Sequence, residues 1–208
     1  MFLIEKKNLG NFPLVEGKIL PDHLDQVYWE ILNQRHEIYQ GCLDDPDFDY
    51  IDAVWSSLNY NAVDKFPKLD FLLPALKESL QLLNDDIDQY FLKSWINIWP
   101  EGQSIGYHTH YGTWHGYYVI KDTGTTTYYF PNGSKEPVGL ENFDGHFVCT
   151  SSKVPHLAQV NKSKTIRMSL GFNIATWDEI LREERNSVDL PNIKIRESTR
   201  ALRDYFHD

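Results

Sequence analysis

The stretch Thr165-Ile166-Arg167-Met168-Ser169-Leu170-Gly171-Phe172-Asn173 alternates without a break. Ile166, Met168, Leu170 and Phe172 are apolar, whereas Arg167, Ser169, Gly171 and Asn173 are polar or small. Successive side chains leave a strand on opposite sides, so period-two alternation marks a strand with one face in a core. Arg167 then stands on the face turned away from the apolar packing. Outward from this strand the pattern repeats in shorter pieces. Strands are expected at 94–99, 105–110, 116–121, 125–130, 146–150 and 156–160, broken by turn residues such as Asn132-Gly133. Many short strands with turn punctuation mean a sandwich or barrel.

Before residue 94 the period changes. Residues 1–20 read as an opening strand or two. From Pro21 onward Leu24, Val27, Tyr28, Ile31, Leu32 and Ile38 share one helical face, with Asp22 as N-cap. Residues 41–65, rich in Asp and Asn, read as a long loop that could lid a site. A second helix runs to about Leu83, with Leu72, Leu73, Leu76, Leu80 and Leu83 inward and Pro74 in its first turn. After Asn173, Thr176 and Glu179 form a capping box that opens a helical, charged tail. The expected organisation is one domain over 1–208: helical support to 93, a β core over 94–174, and a helical tail over 175–208.

At 208 residues the chain can bury about 70% of its unfolded surface. The net charge is −10, from 20 basic and 30 acidic side chains, with no basic cluster. Nucleic acid and anionic membranes are therefore not expected as partners. No apolar run approaches a membrane span or a signal peptide. Cys42 and Cys149 are the only cysteines; free thiols in a reducing cytoplasm are expected.

Five of the eight histidines lie between residues 108 and 156. His108 and His110, two apart, would share one face of an extended strand. Two imidazoles on one face can hold a metal jointly, and His156, opening a later strand, can complete a facial set. A His-x-His pair also arises by chance. His115 and His146 read as a pocket-edge residue and an exposed strand residue, and His23, His36 and His207 as solvated. An Arg planted in a barrel interior needs an anionic partner, and a carboxylate suits its planar fork; a structural salt bridge or a rim position is the alternative.

Taken together, Trp95–Asn173 resembles the iron(II)- and 2-oxoglutarate-dependent oxygenase superfamily. Gly102-Gln-Ser-Ile-Gly-Tyr-His108-Thr-His110 is similar to the strand bearing that superfamily's His-x-Asp motif. Trp114-His-Gly-Tyr-Tyr118-Val-Ile resembles the next strand, Asp144-Gly145 through Pro155-His156 the segment with the distal His, and Arg167-Met-Ser169 the Arg-x-Ser that holds 2-oxoglutarate. Among subgroups the chain most resembles the small oxygenases of phages and bacteria. The resemblance implies a double-stranded β-helix, or jelly roll, with the N-terminal helices packed on one sheet. It implies Fe(II) on His108, His110 and His156, and 2-oxoglutarate on Arg167 and Ser169, with Tyr118 and Asn97 in the same pocket. Tyr111, Trp114 and His115 would line the mouth for a small-molecule or peptide substrate.

His110 departs from the superfamily, which usually has Asp or Glu there. Three neutral imidazoles, Fe(II) and a 2-oxoglutarate dianion still sum to zero charge. Halogenases of the superfamily leave this position open for halide; His110 fills it, so hydroxylation with release of succinate and CO2 is implied. Two rivals stand beside this reading. One is a cupin-like three-His dioxygenase without cosubstrate; the other is a catalytically silent jelly roll that binds a ligand.

Overall fold

The computed structural model describes residues 2–35, 55–56, 61–186 and 199–206. Eight strands build its centre. β4 (Tyr90–Trp99), β6 (Trp114–Lys121), β9 (His146–Ser151) and β11 (Arg167–Thr176) form the middle of a larger sheet in the order β9-β6-β11-β4. β5 (Ile105–His108), β7 (Thr126–Tyr129), β8 (Val138–Glu141) and β10 (His156–Ala158) form a smaller sheet in the order β5-β10-β7-β8. The chain crosses repeatedly between the two antiparallel sheets, which makes the fold the expected double-stranded β-helix. The sequence pattern does not mark β8, whose four residues lie mostly exposed at a sheet edge and so carry no apolar alternation.

The opening strands read over residues 1–20 are present: β1 (Phe2–Leu9) and β2 (Phe12–Ile19) form a hairpin, and β2 pairs with β9 to extend the larger sheet. On the opposite edge, β3 (Trp55–Ser56) and β12 (Arg200–Ala201) pair with β4. Helices α1 (Leu24–Asn33) and α2 (Leu73–Leu82) cover one face of this sheet. Val27 and Ile31 of α1 and Leu76 and Leu80 of α2 join Leu92, Ile96, Leu170 and Phe172 in one core. The helices thus do what amphipathic helices must: bury an apolar stripe against a sheet.

Local differences have local causes. α1 begins at Leu24 with His23 in the cap position and no side-chain cap bond, so Asp22 does not cap it. In α2, Pro74 does occupy the first turn. Ala75 and Ser79 take inward positions beside Leu76 and Leu80, and Leu73 and Leu83 are only partly buried. A 3-10 helix, Pro67–Leu72, precedes α2 and buries Leu72. The capping box forms as expected at α3 (Trp177–Asn186): Thr176 N–H donates to Glu179 Oε2 at 2.8 Å, and Glu179 N–H to Thr176 Oγ1 at 3.4 Å. Ile38, His36, His207, Cys42 and most of the 41–65 loop lie outside the described residues. Cys149 is a buried free thiol. Among the described residues, no helix is long and apolar enough to cross a membrane.

Candidate metal centre and anion pocket

Between the two sheets lies a cavity open to solvent, about 430 Å³ with its mouth included. Its wall from the larger sheet follows from strand periodicity. Trp95, Asn97 and Trp99 of β4 and Arg167, Ser169 and Gly171 of β11 line it, while the alternate residues Ile96, Ile98, Met168 and Leu170 lie in the core beneath the helices. The smaller sheet contributes His108, Thr127 and His156.

His108 and His156, far apart in sequence, are direct partners across the β5–β10 pair. With His110 they offer ligand nitrogens that all lie within 4.8 Å of one another. Two of the rings are oriented by backbone carbonyls. His108 Nδ1–H donates to Gly106 O at 2.7 Å, and His156 Nδ1–H donates to Val154 O at 3.3 Å. A carbonyl only accepts, so each bond keeps the proton on Nδ1 and leaves the Nε2 lone pair for a metal. His110 lies just past the end of β5, where its backbone N–H donates to Ser152 O at 3.2 Å. Its Nε2 is buried and has no hydrogen-bond partner among the described residues. From His110 the chain turns back into β6 at Gly112, at φ +92°, where a Cβ would stand 2.8 Å from Ile174 O.

Burial keeps these rings neutral. It lowers His108 below the ordinary histidine value, lowers His156 to about 3, and with the neighbouring imidazoles holds His110 well below. Three uncharged imidazoles with converging lone pairs are the donor set a divalent transition metal takes, iron among them. An orphaned ring nitrogen in the same cluster is the polar atom such an ion would satisfy. The residues fit a metal.

The opposite end of the cavity is cationic. Arg167 is 1% exposed, and its Nε and Nη1 have no hydrogen-bond partner among the described residues. Asp122 forms one long ion pair with it, 3.7 Å from Nε, and the guanidinium lies 4.0 Å above the Trp99 ring. Burial pulls Arg167 down to about 10, against the opposing influence of Tyr117 and Asp122, so it stays cationic at neutral pH. A buried guanidinium with open donors fits a carboxylate, which accepts two parallel bonds from it. Ser169, two residues along the same strand face, and Asn97, its partner on β4, stand beside it.

The structure does not bring every expected residue here. Tyr118 points to the other side of the sheet, into the helix-covered core, and its hydroxyl donates to Ile19 O at 2.8 Å. Its neighbour Tyr117 lines the cavity instead. Trp114 shares the face of Tyr118 and donates from Nε1 to Asp85 at 2.7 Å, and Tyr111 packs against Ala175 and Ile180. Neither lines the cavity. His115 does, but 4% exposed and deep inside rather than at the mouth. His146 is not exposed: it is wholly buried, with Nε2–H donating to Glu16 at 3.0 Å. Tyr117 was legible in principle. It is two residues from His115, so both share a face, whereas His115 and Tyr118 cannot.

No family model and no curated protein matches the chain. Solved structures do. It is similar to AviO1 from Streptomyces viridochromogenes, at 12% identity and a TM-score of 0.58, covering 80% of this chain and 90% of that one. It is similar to the non-haem alpha-ketoglutarate-dependent carbocyclase SnoK from nogalamycin biosynthesis, at 13% identity and a TM-score of 0.53, covering 82% and 85%. A third is a Pseudomonas putida prolyl-4-hydroxylase, at 16% identity and a TM-score of 0.51, covering 78% and 87%. The likeness is one of fold. This chain has the fold on which those proteins are built.

Proposed function

We propose that the chain is an Fe(II)- and 2-oxoglutarate-dependent oxygenase acting on a small molecule or peptide in the cytoplasm. The observation that carries this reading is Arg167: a buried guanidinium with unmet donors, in the same cavity as three converging imidazoles. A cupin-like dioxygenase without cosubstrate would have no use for that cation. The neighbouring folds point the same way, since one belongs to an alpha-ketoglutarate-dependent carbocyclase and another to a prolyl hydroxylase.

In this reading His108, His110 and His156 hold the metal, and Arg167 with Ser169 grips the far carboxylate of 2-oxoglutarate. Tyr117 replaces Tyr118 as the tyrosine that faces the cosubstrate. Bound iron would activate O2, the oxidant, with 2-oxoglutarate as the co-reductant that is oxidised to succinate and CO2. The protein's part is to orient and to exclude water. Trp95, Trp99 and Tyr117 wall the cavity with aromatic surface, and the carbonyl bonds to His108 and His156 keep their lone pairs aimed inward.

The test is 2-oxoglutarate affinity, measured without oxygen and with Mn(II) in the metal position. Losing a charge-assisted pair costs on the order of 2–5 kcal/mol, so Arg167→Ala should weaken 2-oxoglutarate by roughly 30- to 5,000-fold. Mn(II) binding itself should persist, because Arg167 is not a ligand. Arg167→Lys should fall between, with charge but no planar fork. Unchanged 2-oxoglutarate affinity in Arg167→Ala would transfer the proposal to the cupin-like reading.

A further inference from the structure

Four histidines, not three, meet in the cavity. His115 is 4% exposed, and its ring lies parallel to that of His110, with centroids 3.5 Å apart and 7° between the planes. The His156 ring is also near parallel, 4.8 Å away at 15°. Yet His115 is outside the set of nitrogens within 4.8 Å of one another. A buried imidazole beside a ligand set, but not part of it, needs another reason to be there.

Its attachment supplies one. His115 Nδ1–H donates to Asn173 Oδ1 at 3.2 Å. Asn173 is the direct partner of His115 across β6 and β11, so the anchor comes from the middle of a continuous sheet. His110, by contrast, sits past the end of its strand, and no bond fixes its Nε2 among the described residues. Of the three proposed ligands, His108 and His156 have their rings set by carbonyls. A flat ring in van der Waals contact restricts rotation of the ring it covers, because tilting either plane drives atoms together.

We infer that His115, held by Asn173, is a positioning residue that sets the plane of the His110 imidazole for the metal. Stacking on a rigid plate does for His110 what carbonyl bonds do for the other two rings. This rests on the proposed metal site. It also explains how a ligand in a loop could be held as firmly as one in a strand.

The full chain loaded with Co(II) in place of iron tests it, since Co(II) absorption reads ligand geometry apart from turnover. Variants His115→Ala, His115→Phe and Asn173→Ala would be compared with wild type after thermal melts establish folding. His115→Ala should shift and broaden the visible Co(II) bands and weaken Co(II) by about tenfold, the scale at which partners of metal ligands act. His115→Phe keeps a flat ring over His110 but cannot bond to Asn173, so its bands should fall between those of His115→Ala and wild type, alongside Asn173→Ala. Asn173→Ala leaves the ring but removes its anchor and should broaden the bands in the same direction, which keeps the test decisive if His115→Ala does not fold. Wild-type bands in Asn173→Ala and His115→Ala would overturn the inference while leaving the metal site standing. No Co(II) binding by wild type, or binding indifferent to His108→Ala and His156→Ala, would overturn the metal site and the inference together.

Discussion

The two faces of β11 pose opposite problems with the same backbone. On one face Met168, Leu170, Phe172 and Ile174 disappear into the core under α1 and α2, none more than 1% exposed. On the other, Arg167, Ser169 and Asn173 are just as deeply buried, at 3% exposure or less. The first face is closed by dispersion and loss of apolar surface from water, and its groups are fully used. The second keeps a guanidinium whose Nε and Nη1 find no hydrogen-bond partner among the described residues. Burial alone does not separate core from site. Unmet valence does.

Deleting one residue from each face should have opposite effects on stability. Phe172 packs on Phe147 with centroids 5.7 Å apart, and Phe172→Ala should lose about 3–5 kcal/mol of unfolding free energy in a urea titration. Arg167→Met should act in the opposite direction. Burial pulls the Arg167 pKa down against Tyr117 and Asp122, so the guanidinium is a cation held against its preference. Replacing it with an apolar side chain of similar length should therefore raise stability by roughly 1–3 kcal/mol. A destabilised Arg167→Met would mean that Asp122 and Trp99 already satisfy the guanidinium, and that the cavity has no need of an anion.

A smaller effect is expected at the core face of β9. Cys149, on β9 with its side chain in the apolar cluster, is fully buried, and burial pushes its thiol from an ordinary 9 up to about 12. A folded state that raises the thiol's pKa favours the protonated form. Its contribution to stability is complete below pH 9 and is lost as pH rises toward 12. Wild type should therefore lose stability over that window, and Cys149→Val, which removes the titrating group, should lose less. Equal alkaline slopes in the two proteins would show that Cys149 is not sealed in the core.

Much of the fold was legible because strands with one buried face write their period into the sequence. Seven of the eight jelly-roll strands carry it, and the alternation at 165–173 assigns both faces of β11 correctly. What was hidden lacked such a signal. β8 is an exposed edge strand. The β1–β2 hairpin joins the larger sheet through pairing with β9, a long-range choice that local pattern does not encode. At the site, His108 and His110 were legible from spacing and His156 from order along the chain, and their meeting depends on the β5–β10 register. Tyr118 was a misreading of phase. Counting in twos from His115 lands on Tyr117, and a one-residue slip on a strand moves a side chain from the cavity to the core. The burial of His146 came from Glu16, across the β2–β9 pair, which no short stretch could reveal.

In the proposed function, one cavity holds both a three-imidazole metal site and an arginine that grips an anion. The most direct measurement is anaerobic addition of Fe(II) and then 2-oxoglutarate to the full chain, watching for the visible charge-transfer band of the iron-bound oxo acid. The band should appear only with both additions, be lost in His108→Ala and His156→Ala, and need far more 2-oxoglutarate to develop in Arg167→Ala. A wild-type protein that binds Fe(II) but shows no band at saturating 2-oxoglutarate would contradict the proposed function.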